Sequence, residues 1–133
     1  MEFGVLGPLI VGSAGRTMTI GSRQQRRLLT ALLVHSGTVV SVDRLTDVLW
    51  GDEAPRAAVP SLHTYVSRLR ALLHTDGEEI LLTRPPGYLL RVDPGHTDAG
   101  RFERLVAAAR ATAADQPSVA LQRLDEALAL WRG

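Results

Sequence analysis

The sequence predicts an α+β fold, and three observations carry that expectation. Short runs punctuated by Gly and Pro open the chain as strands, and a helix with one apolar stripe and a basic outer face occupies residues 59–73. A strand pair follows that helix directly, after which the sequence becomes wholly helical. The expected order is a small N-terminal antiparallel sheet, three helices, a hairpin and a helical pair.

Each element has a local reason. Phe3–Leu6, Leu9–Val11 and Thr17–Ile20 read as strands, with Gly-Ser-Ala-Gly at 12–15 as a turn. Ser22 and Gln25 form a capping box ahead of Leu28, Leu29, Leu32 and Leu33, a helix face that ends at Gly37. Ser41 caps a second helix through Trp50, with Leu45, Val48 and Leu49 as its apolar side, Asp43 suited to its dipole and Gly51 at its end. Pro60 is tolerated only in the first turn of the third helix, so that helix starts near Val59. Its stripe is Leu62, Tyr65, Val66, Leu69, Leu72 and Leu73, while Thr64, Ser67 and Ala71 point away, flanked by His63, Arg68 and Arg70. A turn at 75–78 leads to strands at Glu79–Thr83 and Tyr88–Val92, joined by Arg84-Pro-Pro-Gly. Beyond the segment at 94–97, Phe102, Leu105, Val106, Ala109 and Ala113 form one helix face and Leu121, Leu124, Leu128 and Trp131 the next, separated by a break at Asp115-Gln-Pro-Ser. One such helical hairpin buries its apolar side poorly, which gives the impression of an array cut short.

Composition narrows the function classes. At 133 residues, 45% hydrophobic and 22% charged, the chain suits one domain or one small domain plus part of another. No apolar run is long enough to cross a bilayer and the start lacks the basic region of a signal peptide, so no membrane role and a cytoplasmic location are expected. Cysteine is absent, which removes disulfides, thiolate metal sites and cysteine nucleophiles. All 15 basic residues are arginine, a compositional hint of a GC-rich genome. The net charge of +1 hides a local asymmetry: Arg23, Arg26 and Arg27 cluster before one helix, and Asp43, Asp47, Asp52 and Glu53 on the next. Local sign governs phosphate attraction, because exposed charges are screened within about 8–10 Å.

Three helices followed by a hairpin with an arginine at its tip is the organisation of a winged helix-turn-helix. The third helix carries no carboxylate between Glu53 and Asp76, as expected of a surface laid against phosphates. An arginine at the wing tip suits the narrower, electronegative minor groove. Enzymatic readings find little support. Asp93, His96 and Asp98 have metal-ligand chemistry but sit beside Pro and Gly without a fourth ligand, and no phosphate-binding loop, nucleophile elbow or carboxylate pair is recognisable. No metal, cofactor or enzymatic activity is expected.

Several segments together resemble a known family: Phe3-Gly-Val-Leu-Gly-Pro-Leu, Gln24-Gln-Arg-Arg-Leu-Leu, Val40 to Gly51, Tyr65-Val-Ser-Arg-Leu-Arg, Pro86-Gly-Tyr-Leu-Leu and Asp98 to Arg104. In this order they resemble the Streptomyces antibiotic regulatory proteins (SARPs), activators with an OmpR-type winged helix. The closing Ala-Leu-Ala-Leu-Trp-Arg-Gly resembles the start of the family's bacterial transcriptional activation domain, a TPR-like helical array. The resemblance implies an OmpR-type DNA-binding domain at 1–93, a linker at 94–97 and the first helical hairpin of the activation domain at 98–133. It also implies a transcriptional activator at the nucleoid. Two protomers would bind double-stranded DNA at direct repeats near the promoter −35 element, recruit RNA polymerase through its sigma and alpha subunits, and control antibiotic biosynthesis genes. The sequence departs from the family pattern at Pro60 and in the stiffer Arg84-Pro-Pro-Gly wing tip.

The residues assigned to DNA are His63, Thr64 and Ser67 toward base edges, Arg68 and Arg70 toward phosphates or bases, and Arg84 in or over the minor groove. Each has a blander role beside it: a packed or solvated histidine for His63, an ion pair for Arg70, an exposed turn residue for Arg84. Arg23 and Arg26, with Arg27, either touch backbone phosphates or pair with the acidic second helix. Trp50 and Tyr88 are expected to pack, and the acidic set is either a solvated face or a surface for polymerase. The alternative function is a protein-interaction module whose winged helix is not used for DNA. The acid-free third helix argues for DNA, because a protein dock has no need to exclude carboxylates.

Overall fold

The computed structural model describes residues 1–13, 15–74 and 78–132. In chain order its elements are β1 (Glu2–Gly4), β2 (Ile10–Ser13), β3 (Arg16–Met18), α1 (Arg23–Val34), β4 (Val40–Ser41), α2 (Val42–Trp50), α3 (Ala58–Leu73), β5 (Leu81–Arg84), β6 (Gly87–Leu90), α4 (Asp98–Thr112) and α5 (Pro117–Ala129). Contacts divide the chain into two compact units, residues 19–92 and residues 1–18 with 93–133. The opening strands thus group by packing with the C-terminal helices. No helix among the described residues is long and apolar enough to cross a membrane.

The unit at 19–92 is a winged helix. Ser22 and Gln25 make the expected reciprocal cap, Ser22 Oγ accepting from the Gln25 N–H at 3.1 Å and Gln25 Oε1 accepting from the Ser22 N–H at 3.3 Å. Ser41 caps α2 by accepting from the Arg44 N–H at 3.1 Å. The core unites Leu28, Leu29 and Leu32 of α1, Leu45 and Leu49 of α2, and Leu62, Val66, Leu69 and Leu73 of α3, all essentially inaccessible. Each such leucine contributes about 2 kcal/mol through removal from water. The stripes are narrower than the sequence predicts. Val48 and Leu72 are exposed and Tyr65 is half-buried, because they lie at the edges of their helix faces.

The hairpin is one part of a three-stranded antiparallel sheet ordered β4-β6-β5. Strand β4 is an addition to the expected elements, too short for a periodic signal, and pairs Val40 with Tyr88 and Ser41 with Gly87. The expected strands at 79–83 and 88–92 become Leu81–Arg84 and Gly87–Leu90, with Leu81 opposite Leu90 and Arg84 opposite Gly87. The Pro85-Pro86 bond between them is cis. The turn expected at 75–78 falls mostly on residues 75–77, outside the described residues.

In the other unit β1, β2 and β3 form an antiparallel meander. The expected linker at 94–97 is structured: Pro94–His96 form a 3-10 turn capped by Asp93, and Thr97 caps α4 by accepting from the Gly100 N–H at 2.9 Å. Asp98, only 4% exposed, accepts from the Val5 N–H at 2.8 Å and the Leu6 N–H at 3.1 Å, and Arg132 Nη2 lies 3.4 Å from its carboxylate. Helices α4 and α5 bury Ala109, Ala120 and Ala127, whereas Leu121, Leu124, Leu128 and Trp131 are 64%, 39%, 64% and 52% exposed. The face expected on α5 is therefore turned to solvent.

Candidate nucleic-acid interface

Helix α3 displays its surface because its three- and four-residue spacing buries Ala58, Leu62, Val66, Leu69 and Leu73 on the opposite side. His63, Thr64, Ser67 and Arg68 are exposed side by side on that surface. Thr64 Oγ1 donates to the Pro60 carbonyl at 3.1 Å, a contact local to the helix. The His63 ring meets Tyr88 of β6 edge-on, centroids 6.3 Å apart at 77°. Tyr88 itself is buried, in keeping with the packing role expected of it. Trp50 packs as well, stacked on Tyr65 at 6.3 Å and 29°, so the end of α2 is braced against α3.

The arginines behave differently from one another. Arg68 is exposed with no polar partner among the described residues. Arg84 is exposed at the wing tip, its Nη1 donating to the Thr83 carbonyl at 3.0 Å. Arg70 is half-buried and donates to β5. Arg26 donates from Nη1 to the Ile20 and Gly21 carbonyls, both at 3.3 Å, closing the entry to α1. Arg23 and Arg27 are exposed. None of these arginines forms an ion pair among the described residues, so the open pairing with acidic α2 is not used, and Asp43, Asp47, Asp52 and Glu53 stay exposed.

Two residues join the set that sequence reading did not single out. Arg56, in the connection before α3, is exposed and belongs to the same acid-free stretch, where simple charge counting would have found it. Thr83 is the hydrogen-bonding hub of the wing, a role without local signal because its partner Arg70 is 13 residues away. The triplet Asp93, His96 and Asp98 is spent on structure: Asp93 caps a turn, His96 Nδ1 lies 3.0 Å from Glu2, and Asp98 holds backbone amides. Among the described residues no His, Asp or Glu cluster has metal-site geometry.

Residues 16–90 match the family described as "Transcriptional regulatory protein, C terminal", and residues 97–133 match the "Bacterial transcriptional activator domain". Over its whole length the chain is 37% identical to regulatory protein DnrI of Streptomyces peucetius and 39% identical to regulatory protein AfsR of Streptomyces coelicolor. The chain belongs to the SARP family of transcriptional regulators. This SARP chain spans 52% of DnrI and 13% of AfsR. Its fold matches the solved structure of Mycobacterium tuberculosis EmbR in complex with a low-affinity phosphopeptide, at a TM-score of 0.93 and 38% identity over 99% of the chain and 36% of EmbR. The SARP architecture of winged helix and TPR-like helices accounts for the unit at 19–92 and for α4 and α5 of the other unit.

Proposed function

We propose that this chain is the DNA-binding part of a transcriptional activator, with α3 in the major groove and the β5–β6 wing over the adjacent minor groove. One observation carries the reading: His63, Thr64, Ser67 and Arg68 stand exposed on a helix face free of carboxylates, beside an exposed Arg84 at the wing tip. His63, Thr64 and Ser67 face base edges, Arg68 reaches bases or phosphates, and Arg84 enters the minor groove. Arg23 supplies a phosphate contact at the start of α1, while Arg26 shapes the loop before it. Two protomers occupy direct repeats near the −35 element and recruit RNA polymerase through its sigma and alpha subunits. Antibiotic biosynthesis genes are the regulated class, and the protein works in the cytoplasm at the nucleoid. The names and family of the relatives support this reading.

The test is fluorescence anisotropy with a duplex of upstream sequence carrying two direct repeats, against a scrambled duplex, across a salt series. A preference of about 10³ or more, falling steeply with salt, is the expected result. Equal and weak binding to both duplexes would refute it and favour a protein dock.

A further inference from the structure

Arg70 lies on the DNA-reading helix, yet its guanidinium is already engaged. Nε donates to the Leu81 carbonyl at 3.1 Å and Nη2 donates to Thr83 Oγ1 at 2.9 Å. Strand β5 is the outer strand of the β4-β6-β5 sheet, so a carbonyl on its free side has no strand to bond. An arginine from α3 takes that place. Two contacts at alternate residues of one strand, made by one planar fork, fix the strand's distance from α3 and its tilt together. Thr83 is held a second time, since Arg84 Nη1 donates to its carbonyl at 3.0 Å. The hydroxyl of Thr83 thus receives the arginine of the helix, and its carbonyl the arginine of the wing tip.

We propose that Arg70 is a positioning residue for DNA binding. It sets the angle between α3 and the wing, so that Arg84 meets the minor groove while α3 occupies the major groove, and it makes no phosphate contact of its own. The inference rests on the DNA reading above. Exposure separates the arginines accordingly: Arg68 and Arg84 are exposed, whereas Arg70 is half-buried with two of its nitrogens committed to β5. Geometry, rather than charge, is what Arg70 supplies.

Four variants of the full chain test this by anisotropy on the repeat duplex: Arg70→Met, Arg70→Lys, Thr83→Val and Arg84→Ala, with the double variants Arg70→Met/Arg84→Ala and Thr83→Val/Arg84→Ala. Arg70→Lys keeps the charge and loses the fork. Both Arg70 variants are expected to weaken binding about tenfold. Because that loss runs through Arg84, they should lower the salt slope no further than Arg84→Ala does and add nothing to the slope loss in the double variant, where a phosphate contact of Arg70's own would remove about a further 0.9. Arg84→Ala should cost much less in either background than in the unaltered chain, because a wing already misaligned has little to lose. Thr83→Val, at an exposed position, keeps the arginine and removes one acceptor, so it carries the same test should Arg70→Met fail to fold. Restored affinity in Arg70→Lys, or strictly additive losses in the double variants, overturns the inference while leaving the DNA reading intact. Failure of the unaltered chain to prefer the repeat duplex overturns the DNA reading itself, and the inference with it.

Discussion

Asp98 gathers the Val5 and Leu6 amides, from the far end of the chain, onto one carboxylate. Beside Asp93 and His96 it had the chemistry of a metal ligand, but it is buried beneath the Val5 and Leu6 amides, 93 and 92 residues away, a relation no local pattern carries. Asp98→Ala leaves those donors unmet and is expected to cost about 2–4 kcal/mol in denaturant unfolding of the unit holding β1–β3, α4 and α5. Glu2 is a surface counterpart. Its hydrogen bond with His96, aided by Arg101 at 2.8 Å, holds its carboxyl below the ordinary glutamate value. A depressed folded-state pKa gives stability that is present above the unfolded value and lost as pH falls through the folded one. Glu2→Gln should therefore remove part of the acid-limb fall in thermal stability below about pH 4, a small effect because the pair is exposed. On the DNA face, Arg84→Ala should lower affinity and reduce the salt slope by about one phosphate-equivalent or less. Changes at Thr64 or Ser67 should alter sequence preference more than slope.

Helices were the most legible elements, since their determinants are local. Ser22 with Gln25 and Ser41 alone mark two starts, and leucines at three- and four-residue spacing mark the buried faces. The edges of those faces were less legible, as Leu72 and Val48 show, because exposure there depends on what packs alongside. Strand β4 was invisible: its two residues gain meaning only from β6, more than forty residues on. That pairing depends on Gly87, where a Cβ would overlap the Val40 carbonyl oxygen and lie 2.7 Å from Ser41 Cα. Neither contact is with a side chain able to swing away. Gly87→Ala should cost at least about 3 kcal/mol in chemical denaturation and weaken DNA binding by detaching the wing from β4.

At the scale of the molecule, the order of elements was readable and the grouping of distant ones was not. Phe3 bridges to Thr97 and Arg132 donates to the Leu6 and Pro8 carbonyls within a unit assembled from both ends of the chain. Such closure needs contacts across nearly the whole sequence, which periodicity does not encode. The α5 face has the reverse history: its apolar spacing was plain, but its leucines remain in water while Ala120 and Ala127 pack. Leu121→Glu and Leu128→Glu should accordingly shift the melting free energy of this chain by no more than about 0.5 kcal/mol each. The chain has two tryptophans, and the units share them evenly. Trp50 stacks on Tyr65 within 19–92, and Trp131 meets Phe102 edge-on at 5.8 Å within the other unit. Each unit therefore carries its own tryptophan, and Trp50→Phe and Trp131→Phe single-tryptophan chains turn selectively excited indole emission into separate optical records of how the two halves melt.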